Sequence, residues 1–172
     1  MIRVGLIGAG HIGRERAAAI QYLSDLGKPV VLSAIYDLDF KQAEILASEY
    51  KSVAFDSVDS LLASKLDWVL VAIAHDSAVS IVEKALAVGC KVLMEKPMGR
   101  DLKEARALMV KSGEHLKVGF NYRFFAGVRR ALQDVRAGSF GKIIGIDFVL
   151  GHGCQPGLEK TWKLNFNRSG GG

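Results

Sequence analysis

Residues Met1-Ile2-Arg3-Val4-Gly5-Leu6-Ile7-Gly8-Ala9-Gly10-His11-Ile12-Gly13 decide the fold of this chain. Arg3–Ile7 is a short apolar run suited to a buried strand, and a helix is expected from about His11 to Leu26. Between them lies Gly8-Ala9-Gly10-His11-Ile12-Gly13, a GxGxxG turn placed where a dinucleotide pyrophosphate would be cradled. Gly8 permits the tight turn, Gly10 lets the backbone approach the phosphates, and Gly13 lets the helix close against the strand. The helix N-terminus adds free N–H groups and a positive dipole end. Ala9, His11 and Ile12 complete the turn and are expected to line the cofactor. Glycines that only bend a strand into a helix would not need all three at this spacing.

Outward from that turn, short apolar runs alternate with longer amphipathic stretches. Strands are expected at Val30–Tyr36, Val53–Phe55, Asp67–Ala74, Lys91–Met94 and Lys117–Asn121. Helices are expected over Phe40–Tyr50, Val58–Ser64, Ala78–Val88 (ending at Gly89) and Leu102–Lys111, with Asp39 capping the first of these. Asp67–Ala74 is almost wholly apolar, as a central parallel strand covered on both faces should be. This rhythm predicts an α/β fold with a doubly wound parallel Rossmann sheet. Past Arg123 the rhythm changes: Ala126–Ala137 reads as a helix, Gly138–Gly141 breaks it, and Lys142–Leu150 reads as a long strand with no obvious partner. The expected organisation is a cofactor domain over 1–123. Residues 124–172 then begin an incomplete α+β substrate and oligomerisation domain, so the chain reads as whole at its start and cut short at its end.

Composition narrows the function. Hydrophobic residues make up 49% and charged residues 24%, which is ordinary for a globular protein. The net charge of +5 comes from scattered Lys and Arg without interleaved aromatics, so no nucleic-acid partner is expected. Cys90 and Cys154 stand outside any metal-ligand spacing, so no metal is expected, and the lack of a disulfide framework suggests a cytoplasmic protein. No segment approaches the ~20 apolar residues a membrane helix requires.

Two further features point to chemistry. Asp37 ends the second strand, where a carboxylate accepts hydrogen bonds from the adenosine ribose and repels a 2′-phosphate; this favours NAD over NADP. The alternative is that Asp37, like Asp39, only caps the next helix. Glu95-Lys96-Pro97 follows the strand Lys91–Met94, at the carboxyl edge where doubly wound sheets bind ligands. On an ordinary surface such a pair would be solvated charge. Here the Lys96 ammonium could stabilise a developing alkoxide during hydride transfer.

These features together resemble the Gfo/Idh/MocA family of nicotinamide-dependent oxidoreductases. The resemblance rests on GLIGAGHIG at the start, VLMEKPM around Lys96, VGFNYRF at 118–124, GSFGKIIGI at 138–146, and Trp162-Lys163 before the closing triple glycine. It implies an enzyme that passes a hydride between NAD(P) and a sugar, cyclitol or related polyol, with Lys96 touching cofactor and substrate and assisting catalysis. It also implies that Glu95 lies near the nicotinamide, that Tyr122 and Arg123 approach the nicotinamide and substrate pocket, and that Trp162 belongs to a cofactor-contacting Trp-Arg pair with Lys163 in place of Arg.

The departures from that pattern matter too. Ile73-Ala74-His75 stands where the family often has Thr-Pro-Asn, so Ala74 and His75 either line the cofactor cleft or are plain loop residues. Arg16 replaces a histidine frequent late in the first helix. The family's catalytic Asp and His follow the triple glycine and are not in this sequence; His115 and His152 do not match their position and read as surface residues. The expectation is therefore that residues 1–172 alone have little or no turnover and associate as a homo-oligomer through the apolar 142–150 segment, or else have a disordered tail past about Gly151. The alternative reading is a non-catalytic dinucleotide-binding module.

Overall fold

In a computed structural model the described residues are 1–149, 151, 157 and 161–171. Six parallel strands form one sheet: β1 (Ile2–Ile7), β2 (Val30–Tyr36), β3 (Val53–Phe55), β4 (Trp68–Val71), β5 (Lys91–Met94) and β6 (Leu116–Val118). Their order is β3-β2-β1-β4-β5-β6, so the chain winds outward one way from β1 and then, at β4, the other way. Every strand pairing is parallel, as the alternating pattern requires.

The helices join successive strands and cover the two faces of the sheet: α1 (His11–Asp25), α2 (Phe40–Glu49), α3 (Val58–Leu62), α4 (His75–Ala87) and α5 (Leu102–Ser112). Side chains alternate across each strand. Leu6 and Leu70 therefore face Ala17 and Ile20 of α1 and Ala43, Leu46 and Ala47 of α2. Ile7, Val69, Val71, Val92 and Met94 face Leu61 of α3, Val82 and Ala85 of α4 and Leu108 of α5. Local chemistry starts three of these helices. Asp39 caps α2 by accepting from the Lys41 N–H, Ser57 caps α3 through Ser60, and Asp101 caps α5 through Glu104.

Several boundaries differ from the sequence reading. β4 spans four residues rather than the eight of Asp67–Ala74, and α4 begins at His75, three residues before the expected Ala78. The apolar run Ala72-Ile73-Ala74 is loop and helix N-cap here, because the chain must leave the sheet before the glycine turn. The last strand covers Leu116–Val118 instead of Lys117–Asn121; after Gly119 donates to the Met94 carbonyl, the backbone turns into a single 3-10 turn over Asn121–Phe124. Helix α6 (Ala126–Arg136) matches its expectation.

The long strand expected over Lys142–Leu150 is not formed: residues 142–149 carry no regular structure, and Leu150 lies outside the described residues. A strand exists through bonds to a neighbour, and no neighbouring strand borders this segment among the described residues. The 161–171 segment forms a 3-10 turn over Trp162–Leu164 and a short helix α7 (Phe166–Ser169), with the Ser169 residue buried. Thus the tail reading past Gly151 is corrected for these residues; His152, Cys154 and the rest of 152–156 and 158–160 lie outside the described residues.

Candidate active site

The glycine turn joins β1 to α1 at the carboxyl edge of the sheet. Gly8 has φ +103°, and a Cβ there would strike the Ala72 carbonyl on neighbouring backbone. A Cβ at Gly13 would overlap the Gly8 carbonyl oxygen, so this glycine is what lets α1 close onto the strand end. Gly10 is different: a Cβ there would meet nothing within 4 Å. The open space beside Gly10, in front of α1, is the approach that a phosphate would need. Gly10 is the N-cap of α1 with no side-chain cap bond, and the first turn holds no acidic residue. The N–H groups of that helical turn therefore face the opening with no carboxylate from their own turn beside them. His11 and Ile12 are exposed at its rim, whereas Ala9 is wholly buried and contributes its backbone.

Asp37 stands one residue past β2 and faces the same turn. Its Oδ2 accepts from the Ala9 N–H at 2.7 Å and its Oδ1 from the Asp39 N–H at 2.9 Å. The carboxylate so ties the glycine turn to the end of β2, a job additional to both readings made from the sequence. Asp39 is the cap of α2, as expected. Arg14 projects from α1 and pairs with Glu49 at 3.1 Å.

On the other side of β1, Glu95-Lys96-Pro97 leaves β5. The Glu95 N–H donates to the Val71 carbonyl at 2.9 Å, so the segment is anchored to the sheet. The Lys96–Pro97 peptide is cis, Lys96 is exposed, and its ammonium makes no ion pair among the described residues. Glu95 is engaged by Arg16, one turn into α1: both Nε and an Nη of Arg16 donate to its Oε1, the Nε bond at 2.7 Å. The two side chains are 22% and 18% exposed, which puts the pair largely out of water. With its amide oriented to satisfy both neighbours, Asn121 accepts from Arg16 at 2.9 Å and donates to the Gly119 carbonyl at 3.2 Å. From the sequence, Arg16 was only a departure from a family pattern, and no local signal joins it to a glutamate 79 positions away.

Ala74 and His75 open α4 beside this edge. The His75 Nδ1–H donates to the Ser169 carbonyl at 2.9 Å, and its ring meets Trp162 edge to face, centroids 4.5 Å apart. The two residues are thus brought together across 87 positions, within a clip that fastens the 161–171 segment to the start of α4. Arg168 donates to Asp76 at 2.8 Å, and Arg100 donates to the Asn167 carbonyl at 2.8 Å. Burial pushes the Asp76 carboxyl up, but the hydrogen bond and charge of Arg168 outweigh it and hold the group below its ordinary value. Glu104 is likewise held low, chiefly by its hydrogen bond with Arg100. Arg123 is less engaged: its Nε donates to the Phe120 carbonyl at 3.2 Å, and its guanidinium lies over Phe124 at 5.9 Å. Tyr122 stacks on Phe125, with ring centroids 4.9 Å apart.

Residues 2–120 match the model of a family described as oxidoreductases with an NAD-binding Rossmann fold, Gfo/Idh/MocA. The UDP-N-acetylglucosamine 3-dehydrogenase of Acidithiobacillus ferrooxidans is 33% identical over 141 residues, which are 81% of this chain and 42% of that protein. Among solved structures, a myo-inositol dehydrogenase from Corynebacterium glutamicum superposes with a TM-score of 0.74 at 28% identity, over 83% of this chain and 43% of its own. The myo-inositol dehydrogenase of Lactobacillus casei, solved with NAD(H) and myo-inositol, superposes with a TM-score of 0.72 at 26% identity, over 80% and 42%. The chain therefore spans less than half the length of each of these proteins.

Proposed function

Because the chain belongs to the Gfo/Idh/MocA oxidoreductase family through its NAD-binding Rossmann fold, we propose that it supplies the cofactor-holding part of a dehydrogenase acting on a sugar, cyclitol or related polyol. The open approach at Gly10, in front of an uncapped helix N-terminus, carries this reading. The residues present fit a dinucleotide: two glycines whose methyl groups would strike backbone, one whose methyl would fill the approach, and a carboxylate on the adjacent strand end.

A bound nicotinamide would supply the site with a carbon that accepts or returns a hydride. The chain's own residues do the rest of what can be assigned. The backbone N–H groups at His11, Ile12 and Gly13 hold the pyrophosphate. Asp37 keeps the turn in place and turns its remaining lone pairs to the adenosine ribose, which selects NAD over NADP by charge repulsion with a 2′-phosphate. Lys96, exposed just past β5 and without an ion pair among the described residues, donates a hydrogen bond to the substrate oxygen and steadies the negative charge that grows there. Ala74, His75, Arg123 and Trp162 border the nicotinamide side, His75 and Trp162 as one edge-to-face pair. We assign residues 1–123 to the cofactor domain and place 124–172 at the start of the substrate domain.

The reading is tested by titrating the 172-residue chain with NADH and NADPH and following nicotinamide fluorescence. Saturable NADH binding, with NADPH weaker by about tenfold or more, is the expected result. No binding of either form at millimolar concentration would overturn it.

A further inference from the structure

We infer that Arg16 sets the preference of this site between the two redox forms of its cofactor, by cancelling the charge of Glu95. This rests on the cofactor reading proposed above. The strand order reverses between β1 and β4, and a dinucleotide lies across such a reversal. With the adenosine half over β1 and β2, where Asp37 stands, the nicotinamide half extends over β4 and β5. Glu95 is the first residue past β5.

The two redox forms differ at one place: the oxidised nicotinamide ring carries a positive charge and the reduced ring carries none. A free carboxylate at the end of β5 would therefore favour the oxidised form. In this chain the carboxylate is not free. Arg16 reaches it with two donors in a pair that is mostly buried, so its charge is neutralised within about one hydrogen bond length. What remains at that edge is the Lys96 ammonium, which has no carboxylate partner among the described residues. The local balance is thus positive and favours the neutral, reduced ring. Asn121 accepts from the same Nη of Arg16 that donates to Glu95, which helps hold the pairing in one geometry.

The test is the ratio of dissociation constants, Kd of NAD+ over Kd of NADH, read by fluorescence for NADH and by competition for NAD+. Arg16→Gln should lower the ratio by about tenfold, the scale of one unit charge acting through the effective dielectric of a protein edge. Glu95→Gln should move it the other way, because it leaves Arg16 unopposed. The double variant Arg16→Gln/Glu95→Gln should return to within about threefold of the parent, and Arg16→Lys, which keeps the charge, should do the same. A purely structural role would weaken both redox forms alike and leave the ratio where it was. A ratio unchanged in Arg16→Gln, or raised by it, overturns the inference. Should circular dichroism show that Arg16→Gln does not fold, Glu95→Gln decides alone, and an unchanged ratio there is equally fatal. If the parent chain binds neither form, the cofactor reading falls and this inference with it; binding with an insensitive ratio sinks the inference only.

Discussion

A methyl group added at Gly13 would land on the Gly8 carbonyl oxygen, whereas one added at Gly10 would enter open space. The two substitutions should therefore separate folding from binding. In a helix, Gly→Ala ordinarily gains up to about 1 kcal/mol. At Gly13 the collision is with backbone that cannot swing aside, so Gly13→Ala should destabilise by about 2 kcal/mol or more in a denaturant titration. Gly10→Ala should change stability by no more than about 1 kcal/mol. It should nonetheless weaken NADH binding at least tenfold, since the methyl occupies the phosphate approach. Equal losses of stability at both positions would contradict this division of roles.

At the scale of elements, α7 and the Trp162–Leu164 turn are held to α4 and to the loop before α5 by a few polar links: Asp76–Arg168, His75–Ser169 and Arg100–Asn167. Asp76 titrates below its ordinary value of 3.8 and Glu104 below 4.5 when the chain is folded. Depressed carboxylates contribute stability that is fully present above those ordinary values and is lost as pH falls through the lower, folded ones. The clip should thus hold through the neutral range and open in acid below about pH 4. Trp162, edge to face with His75, reports the event. In a Trp68→Phe background its fluorescence should change in a step at low pH before the sheet unfolds. In Arg168→Gln, which removes the charge that holds Asp76 down, the step should move to higher pH. A clip that stays closed to the point of global unfolding in both proteins would show that these ion links contribute little. The pairs are partly exposed, and solvent screening limits their strength.

Taken whole, the molecule has a buried apolar core on both faces of the sheet and a strongly apolar exposed stretch beyond it. Ile144 and Val149 are about fully exposed, Ile146 and Phe148 mostly so, and α6 buries none of its residues. Apolar surface of this extent in one stretch drives association in water. The 172-residue chain should therefore self-associate through 142–149 with a mass that rises with concentration in light scattering. The double variant Ile144→Lys/Phe148→Lys should shift it toward monomer without lowering its melting temperature, since neither side chain is part of the core. A parent chain that is monomeric at all concentrations would refute the homo-oligomer expected from the sequence.

The sheet was legible in the sequence because its cause is local and repetitive. Apolar runs of three to eight residues can be hidden only between helices, and Asp39 and Gly89 punctuate those helices with side chains or conformations that need no distant partner. The glycine turn was legible for the same reason: thirteen residues contain the strand, the turn and the helix that act together. Strand ends were less so. Ala72 to Ala74 is as apolar as β4 itself, and only the path past Gly8 ends the strand at Val71. Lys142–Val149 is rich in the β-branched and aromatic residues a strand favours, yet a strand also needs a bonded neighbour, which no pattern within the segment can supply. The site shows the same division. Gly8, Gly10, Gly13, Asp37 and Lys96 could be picked out because each lies within six residues of the end of a strand visible in the sequence. The Arg16–Glu95–Asn121 cluster and the edge-to-face His75–Trp162 pair join residues 26 to 105 positions apart, from Glu95–Asn121 to Arg16–Asn121, with no periodicity to link them. Charge on a residue is written in its letter, but whether that charge is free or cancelled depends on which neighbour folding brings within hydrogen-bond reach.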